Sequence, residues 1–482
     1  MSGRVSAERR ASVPRHPASC DCAGPDGCAT WSRSEELTWL RTQLAVENEP
    51  VVAATHLLRY CRDHHGELWE RASEPAATVA VTEALASLAA ALPGPTVAPT
   101  LSPAARAALA GAFDDAADRV PPAVVAHGLA TFLDDRYAGA FGTWFRRRSP
   151  YRPEFGDPIP LDDPGIARNA QVPVTSPPWR LANRLDETRH LRLAGGWTSE
   201  FDVAFDYSLT GHLAGLLQDK ELLATCHPNR SLDEFALTAR RGGRLFPVRP
   251  TKVRDQRSRL DALIGAAAHD GASVVVLPEL SVTPALASRL RGWVERDDGP
   301  RLLVAGSYHV TSRRGGPTAG RHNVAVAWVR GCDEPIEHYK HSPADHPLLE
   351  DIQPESRPQL NIYVVDGWHL VVAICRDLLN PEAIHTLVSA GANLVLAPTM
   401  SETLLPFGGQ LAQLVGSCQA VAAVANGPME WPKLNGQRAT VAPALFGHPG
   451  APQQTITVST TDAETGYALL DLRTAEATWS PM

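Results

Sequence analysis

The sequence predicts two successive regions of different class, an α-helical N-terminal domain and then an α/β domain. Between residues 35 and 148, apolar side chains recur at three- and four-residue spacings, which is the period of one face of an α-helix. From about residue 233 onward, short β-branched apolar runs alternate with helical stretches, a pattern typical of α/β folds. Residues 150–178 separate the two patterns with eight prolines, a density that prevents regular helix.

The composition indicates a globular protein and excludes two classes of function. The chain has 482 residues, 44% of them hydrophobic, which is enough for two or three domains with sizeable cores. Its 45 basic and 53 acidic side chains leave a net charge of -8, so we do not expect a nucleic-acid binder. The longest apolar stretch, residues 76–92, is interrupted by polar residues and ends before Pro93. It is shorter than the roughly 20 residues that a membrane helix needs, so no membrane association is expected.

The first segment, residues 1–30, predicts a disordered tail. Its arginines are followed by no apolar segment, so we expect no secretory leader and a cytoplasmic location. Cys20, Cys22 and Cys28 lie in this tail, but their C-x-C-x5-C spacing fits no zinc module, and a disordered tail is favoured over a metal site. The other five cysteines are scattered singly, as expected of reduced thiols.

Residues 31–148 predict a bundle of four or five helices whose role the sequence does not indicate. Ser102 followed by Pro103 marks one helix start, because serine caps the helix and proline suits its first position. The adjacent His64 and His65 are interpreted as a solvated pair. Residues 149–232 predict a proline-rich linker and connecting segment that contains one helix at 209–226.

The α/β domain is predicted over residues 233–482. Four helical stretches are expected, at 255–269, 284–295, 381–390 and 403–420. Nine apolar runs are expected to form strands, at 273–277, 302–308, 323–329, 362–365, 370–374, 393–397, 421–425, 455–458 and 467–472. The first strand of this domain is ambiguous, since 235–237 or 245–248 could supply it.

Three reactive side chains lie at or just after the ends of predicted strands, which is where α/β folds place active sites. Glu279 lies in VVVLPEL, Lys340 lies in HYKHSP, and Cys375 ends a strand in VVAICRDLLNPE. A thiol between a strand and a helix is exposed to backbone N–H groups that lower its pKa. Together the residues supply a nucleophile, a carboxylate to take its proton and an ammonium to stabilise an oxyanion.

These motifs, in this order, resemble the three catalytic motifs of the nitrilase superfamily of carbon–nitrogen hydrolases. Sixty-one residues separate Glu279 from Lys340 and 35 separate Lys340 from Cys375. Further matching segments are GAS at 271–273, GSY at 306–308, the strand that opens with Asn323, and GANLVLAPT at 391–399. The resemblance covers about residues 233–482 and leaves the N-terminal half outside it.

The resemblance implies an α-β-β-α sandwich that pairs into a homodimer or higher homo-oligomer. It implies that Glu279 is the general base, Cys375 the nucleophile and Lys340 the oxyanion stabiliser, with the backbone N–H of Arg376 as a second donor. No metal or organic cofactor is implied. The family usually has a second glutamate soon after the lysine; Glu350 and Glu355 are the candidates here, and Glu350 is favoured.

The resemblance also shapes the expected substrate. Arg-Asp follows Cys375, where true nitrilases typically have Trp-Glu, so we expect an amide or carbamoyl substrate rather than a nitrile. Glu402, in a loop that lies near the pocket in relatives, is a further candidate for substrate contact. The leading interpretation is a hydrolase that uses a cysteine thioester. The alternatives are a catalytically silent scaffold or regulatory module with a partner-binding helical domain, and a soluble acyltransferase that uses the same thioester.

Overall fold

The structure is a computed structural model that describes residues 32–66, 75–92, 100–161, 186–218, 221–312, 320–433 and 437–482. The chain divides into two compact units. Of the described residues, the first unit comprises those within 32–148, 153–161 and 186–195, and the second comprises 149–152 and those within 196–482. The predicted tail with Cys20, Cys22 and Cys28, and residues 162–185 of the predicted linker, lie outside the described residues. Within the described residues, no helix has the length and apolarity needed to cross a membrane.

The described part of the first unit is mainly helical, as predicted. The predicted cap is confirmed, because the Ser102 side chain accepts a hydrogen bond from the Ala105 N–H. A short antiparallel strand pair, β1 (Pro158–Pro160) with β2 (Leu191–Leu193), completes this unit. The helices are α1 (Arg33–Val46), α2 (Pro50–Asp63), α3 (Pro75–Ala91), α4 (Pro103–Ala117) and α5 (Pro122–Arg146).

Buried ion pairs hold this first unit together. The Arg59 guanidinium, on α2, donates to the Gly156 carbonyl at 2.8 Å and lies 3.2 Å from Asp157. Arg192 contacts Glu187 at 2.5 Å. Asp134, on α5, accepts hydrogen bonds from the backbone N–H of His190 at 3.0 Å and from its ring at 3.1 Å. Each buried carboxylate therefore faces its own cationic or imidazole partner.

The second unit contains two seven-stranded sheets. The first has the order β10-β9-β8-β7-β4-β19-β20 and the second the order β18-β17-β14-β13-β12-β11-β3. The strands of the first sheet are β4 (Leu222–His227), β7 (Ala272–Val276), β8 (Leu302–Ser312), β9 (Gly320–Val329), β10 (Ile336–Tyr339), β19 (Gly466–Asp471) and β20 (Glu476–Pro481). Those of the second are β3 (Asp202–Asp206), β11 (Gln359–Val365), β12 (Trp368–Val372), β13 (Leu394–Thr399), β14 (Val421–Asn426), β17 (Ala444–Gly447) and β18 (Thr455–Val458).

Strands of the two sheets contact one another directly, since β13 and β14 pack on β4 and β7. The predicted helical stretches are confirmed as α6 (Val253–His269), α7 (Pro284–Val294), α8 (Pro381–Ser389) and α9 (Leu405–Cys418). Helices α6 and α7 contact strands of the first sheet, and α9 contacts strands of the second. Two strand pairs lie outside these sheets, β5 (Phe235–Ala239) with β6 (Leu245–Pro250), and β15 (Glu430–Pro432) with β16 (Arg438–Thr440).

The start of the α/β unit differs from the prediction. Strand β3 extends the second sheet by pairing in parallel with β11, and β4 lies inside the first sheet between β7 and β19. Both precede residue 233, so the segment expected to be a connector contributes to the sheets. The helix predicted at 209–226 does not form: Gly215 and Leu217 adopt positive φ angles of 68° and 58°, which a right-handed helix does not allow.

Neither segment that was a candidate for the first strand of the α/β domain lies in one of the two seven-stranded sheets. Segments 235–237 and 245–248 instead pair with each other in the two-stranded hairpin β5–β6, which is inserted between β4 and α6. A strand inside the sheet, with a neighbour on each side, must be buried along its length. Strand β4 meets this requirement, because it is buried from Leu223 to His227. Strand β5, by contrast, is exposed over its last three residues.

Candidate active site

Glu279 lies just beyond the C-terminal end of β7, in a turn that is held from two sides. The next residue, Leu280, has φ of 57°, and its N–H donates to the Ser307 hydroxyl at 3.1 Å. Gly306 lets β8 approach this turn, since a Cβ there would lie 2.5 Å from the Pro278 carbonyl oxygen. The predicted GSY segment therefore fixes the position of Glu279, whose side chain is only 3% exposed.

Lys340 follows β10 and lies between two carboxylates. Its Nζ donates to Glu279 Oε1 and to Glu350 Oε2, both at 2.7 Å. Asn323, on β9, bridges the same two residues, because its Nδ2 donates to Glu279 Oε1 and Glu350 Oε1, both at 2.8 Å. An ammonium carries three N–H donors, so one donor of Lys340 is not used by these carboxylates.

Cys375 begins a 3₁₀ turn, Cys375–Leu379, after β12, and α8 follows that turn. The cysteine has φ of 47° and is 4% exposed. Strained backbone of this kind persists where surrounding structure imposes it, often at functional sites. The thiol interacts with the Glu279 carboxylate and with the Met400 backbone. Among the described residues, none accepts a hydrogen bond from the Arg376 N–H at the start of this turn.

The second glutamate of the cluster is Glu350, while Glu355 is exposed and lies outside it. In addition to Lys340 and Asn323, Glu350 accepts hydrogen bonds from His309 Nε2 at 3.0 Å and from the Ala344 N–H at 3.0 Å. Four donors thus reach Glu350. The bonds that Glu279 receives from Lys340 and Asn323 both end on Oε1, so neither of these donors engages Oε2.

The two carboxyl groups are shifted in opposite directions. Burial raises the pKa of Glu279, and the negative charge of Glu350 adds to this against the opposing charge of Lys340. Burial acts on Glu350 as well, but the charge of Lys340 and the bond from His309 outweigh it and lower the pKa of Glu350. Burial and the Glu279 charge raise the pKa of the Cys375 thiol. The resting site therefore holds an ionised Glu350 and a protonated thiol.

Asp377 joins the cysteine turn to the lysine loop, a connection that the sequence analysis did not predict. One oxygen accepts hydrogen bonds from the N–H groups of His341 and Ser342, at 3.0 and 2.9 Å. The other accepts bonds from the Ile374 N–H at 3.0 Å and His338 Nε2 at 2.8 Å. The spacing of Asp377, two residues after Cys375, is the one sequence signal that could have identified it.

His309 and Asn323 are two further residues whose contact with the carboxylates the sequence did not reveal. Asn323 was noted as part of a matching segment, without a role. Each lies on a strand and faces inward beside the site. Inward-facing polar residues on strands that are otherwise apolar were the available signal.

The Glu402 side chain and the Arg376 side chain both lie outside the cluster. Glu402 has a side chain 38% exposed and lies 3.5 Å from His346. The Arg376 side chain is also partly exposed and pairs with Asp345. Only the backbone of Arg376 thus lies beside the thiol.

The cavity at the carboxylates is small, about 30 Å³, and includes Glu279, Lys340 and Glu350. Its remaining lining is largely apolar: Leu245, Val248, Leu280, His309, Ala344, Leu348 and Met400. A larger cleft of about 450 Å³ lies along β10 and β11 and includes Lys340 but not Glu279. Cys375 lines neither of these two cavities. Among the residues described, no group of three or more His, Cys, Asp or Glu side chains is arranged to hold a metal ion.

Comparisons with known proteins return amidase structures. An amidase from Nesterenkonia sp. is 21% identical, with a TM-score of 0.37 over 52% of this chain and 90% of that chain. The amidase from Nesterenkonia sp. AN1, in a structure showing covalent addition of the acetamide moiety of fluoroacetamide at the active-site cysteine, is 22% identical, with a TM-score of 0.37 over 53% and 91%. A variant of that amidase in complex with butyramide is 20% identical, with a TM-score of 0.36 over 52% and 90%. No protein-family model and no curated protein matches the chain.

Proposed function

We propose that this chain is a carbon–nitrogen hydrolase of the nitrilase type, with an α-β-β-α sandwich, that cleaves an amide or carbamoyl bond through a thioester on Cys375. The observation that supports this is the buried convergence of one thiol, one ammonium and two carboxylates of opposite pKa shift. Two neighbouring carboxyl groups whose pKa values are shifted in opposite directions by their surroundings are typical of sites in which the two groups have different acid–base roles.

Nucleophilic attack begins with proton transfer from Cys375 to Glu279. The thiol is protonated at rest, so a base must act as the sulfur attacks. Glu279 interacts with the thiol, and its raised pKa makes it a stronger base. As the S–C bond forms, the carbonyl π electrons move to oxygen.

The resulting oxyanion requires donors, and two are available beside the sulfur. One is the Lys340 N–H that the two carboxylates do not use, and the other is the Arg376 N–H at the start of the 3₁₀ turn. Preorganised donors of this kind stabilise a charge that develops only in the transition state. Collapse of the tetrahedral intermediate breaks the C–N bond, and the leaving nitrogen takes the proton from Glu279.

Hydrolysis of the thioester reverses these roles. Glu279 takes a proton from water while the water oxygen attacks the thioester carbonyl, and the same two donors hold the second oxyanion. Collapse breaks the C–S bond, and the proton on Glu279 returns to the thiolate. Glu350 keeps its charge throughout and holds Lys340 in place, because four donors surround it.

The size and lining of the cavity favour a small acyl group without a charge. About 30 Å³ accommodates little more than a water molecule, so a substrate must be compact or must displace apolar side chains on binding. An anionic acyl group would lie against this apolar lining and close to the two carboxylates, which disfavours its binding. Short aliphatic primary amides fit these conditions best.

The test is intact-mass spectrometry combined with ammonia release. Wild type, Cys375→Ala and Cys332→Ala are exposed to iodoacetamide and, separately, to formamide, acetamide and propionamide. Rapid labelling and ammonia release that are lost only in Cys375→Ala are expected, with Cys332→Ala as the matched control on an accessible thiol. A Cys375 no more reactive than Cys332, with no ammonia from any amide, would contradict the proposal and favour a silent scaffold.

A further inference from the structure

The hairpin β5–β6 forms one wall of the candidate site. It lies between β4 and α6 in the chain and belongs to neither large sheet. Its residues Phe235 and Val248 pack in an apolar cluster with Leu280 and Met400, which line the cavity or follow Glu279. The hairpin is therefore close enough to act on the carboxylates through a single intervening side chain.

His309, on β8, is that side chain. The Val248 N–H, on β6, donates to His309 Nδ1 at 3.0 Å, and His309 Nε2 lies 3.0 Å from Glu350 Oε1. Since Nδ1 accepts a hydrogen bond, it carries no proton, and the ring proton is on Nε2. In this arrangement His309 donates through Nε2 to Glu350.

Two further contacts fix the ring and the carboxylate. Phe246 stacks on His309 with ring centroids 4.7 Å apart and an angle of 21° between the planes, and the His309 side chain is fully buried. The Leu245 N–H donates to the Leu349 carbonyl at 2.7 Å, and the Asp351 N–H donates to the Leu245 carbonyl at 3.2 Å. The hairpin thus holds the residues on both sides of Glu350.

We propose that His309 is a positioning residue, through which the hairpin β5–β6 orients Glu350 on Lys340 and keeps that carboxylate ionised. The proposal rests on the function proposed above. Among the described residues, Lys340 favours the ionisation of Glu350, whereas the charges of Glu279 and a Cys375 thiolate oppose it. His309 adds a donor at 3.0 Å, which also favours the ionised form.

The test compares three variants with wild type. His309→Phe keeps an aromatic ring against Phe246 and removes both hydrogen bonds, while His309→Gln keeps a donor that can reach Glu350. His448→Phe is the matched control: His448 is also buried, accepts at Nδ1 from the Gly450 N–H at 2.9 Å and bonds through Nε2 to the Leu472 carbonyl at 3.0 Å. It touches no carboxylate of the site in these bonds.

The readout is kcat for ammonia release from acetamide, with KM measured for each variant. Loss of the donor lets Glu350 turn away from Lys340, so kcat of His309→Phe should fall by about tenfold. His309→Gln should stay close to wild type, and His448→Phe should show no loss of kcat. KM should change less than kcat in all three.

Several outcomes would overturn the proposal. An unchanged kcat in His309→Phe, or an equal loss of kcat in His448→Phe, would do so, as would a loss in His309→Gln as large as in His309→Phe. If His309→Phe does not fold, His309→Asn replaces it, because asparagine keeps an acceptor for Val248 but is too short to reach Glu350. A Cys375→Ala variant that releases ammonia like wild type would instead contradict the proposed function itself.

Discussion

The two units bury charge in different ways. In the first unit, Arg192 faces Glu187 and His190 faces Asp134, so that each carboxylate has its own partner. In the second, Glu279 and Glu350 share the single ammonium of Lys340. In the first unit, each of these carboxylates has one cationic or imidazole partner. In the second unit, two carboxylates share one ammonium, which leaves one carboxylate in excess.

This difference distinguishes buried charged groups that stabilise the fold from buried charged groups that can take part in a reaction. In a matched pair, each partner stabilises the charged form of the other. In the excess arrangement, one carboxylate is held ionised and the other has a raised pKa. Only that second group can accept a proton at modest cost, and it is the one beside the thiol.

The largest effect is expected when the cation of each arrangement is removed. Lys340→Met should lower the free energy of unfolding by about 3–5 kcal/mol, because it leaves two buried carboxylates facing each other. It should also lower kcat by a factor of about 10³, since the oxyanion loses a donor. Arg192→Met should cost similar stability but leave kcat per folded molecule unchanged. Urea unfolding and ammonia release measure both, and equal losses of kcat would refute the distinction.

The second prediction separates the two carboxylates. Glu279→Gln should lower kcat by about 10²-fold or more through loss of the base, while stability at neutral pH stays at or above that of wild type. The sign follows from the raised pKa of Glu279: its stabilising contribution is present at low pH and is lost as pH rises through the folded-state value.

Glu350→Gln should show the opposite stability profile. The pKa of Glu350 is lowered in the folded state, so its contribution is present above the unfolded value of about 4.3 and is lost as pH falls. A loss of about 2 kcal/mol is expected at neutral pH. Unfolding curves at several pH values provide the measurement, and parallel profiles for the two variants would contradict the assignment.

The third prediction concerns the link between the cysteine turn and the lysine loop. Asp377→Asn places an amide against the Ile374 N–H or the His341 and Ser342 N–H groups, so it should misplace Cys375 relative to Lys340. A drop of about tenfold in kcat is expected, with KM nearly unchanged. Ser342→Ala is the control, because it keeps the backbone N–H that Asp377 binds. Similar kinetics for both variants would exclude a role for the carboxylate.

The fourth prediction tests whether the wall of the small cavity limits the size of the substrate. Val248→Ala removes two methyl groups from the wall but keeps the N–H that reaches His309. Turnover of butyramide relative to acetamide should rise by about tenfold, the scale of one methylene in an apolar pocket. Val441→Ala, in the same apolar cluster but outside the cavity lining, should leave the ratio unchanged. An unchanged ratio in Val248→Ala would show that this wall does not limit the substrate.

The smallest effect is expected at Arg376. Its side chain pairs with Asp345 near the surface, and such pairs contribute little to stability. Because the proposed donor is the backbone N–H, Arg376→Ala should keep kcat within about threefold of wild type. A loss of more than about tenfold would assign the role to the guanidinium instead.

The sequence predicted the centre of the site better than its surroundings. Glu279 and Lys340 follow strands of the first sheet and Cys375 follows a strand of the second. All three lie after strand ends, where α/β folds place active sites, and this position was visible in the sequence. The contact between His309 and Glu350 spans 41 residues and depends on how β6, β8 and the lysine loop pack. No local pattern encodes that packing. Strand β4 was missed because the inserted hairpin separates it from α6 and the spacing of the preceding leucines imitates a helix.

The position of β4 has a consequence for biosynthesis. Its partner β7 ends at Val276, but its other partner, β19, ends at Asp471. At translation rates of about 5–20 residues per second, β4 waits on the order of ten seconds or more for that second neighbour. Glu279, Lys340 and Cys375 are all synthesised during this interval, while β4, in the sheet that supports Glu279, still lacks one of its two neighbours. The nascent protein is thus most vulnerable to strand exchange with other chains after its reactive residues exist and before its last strands arrive.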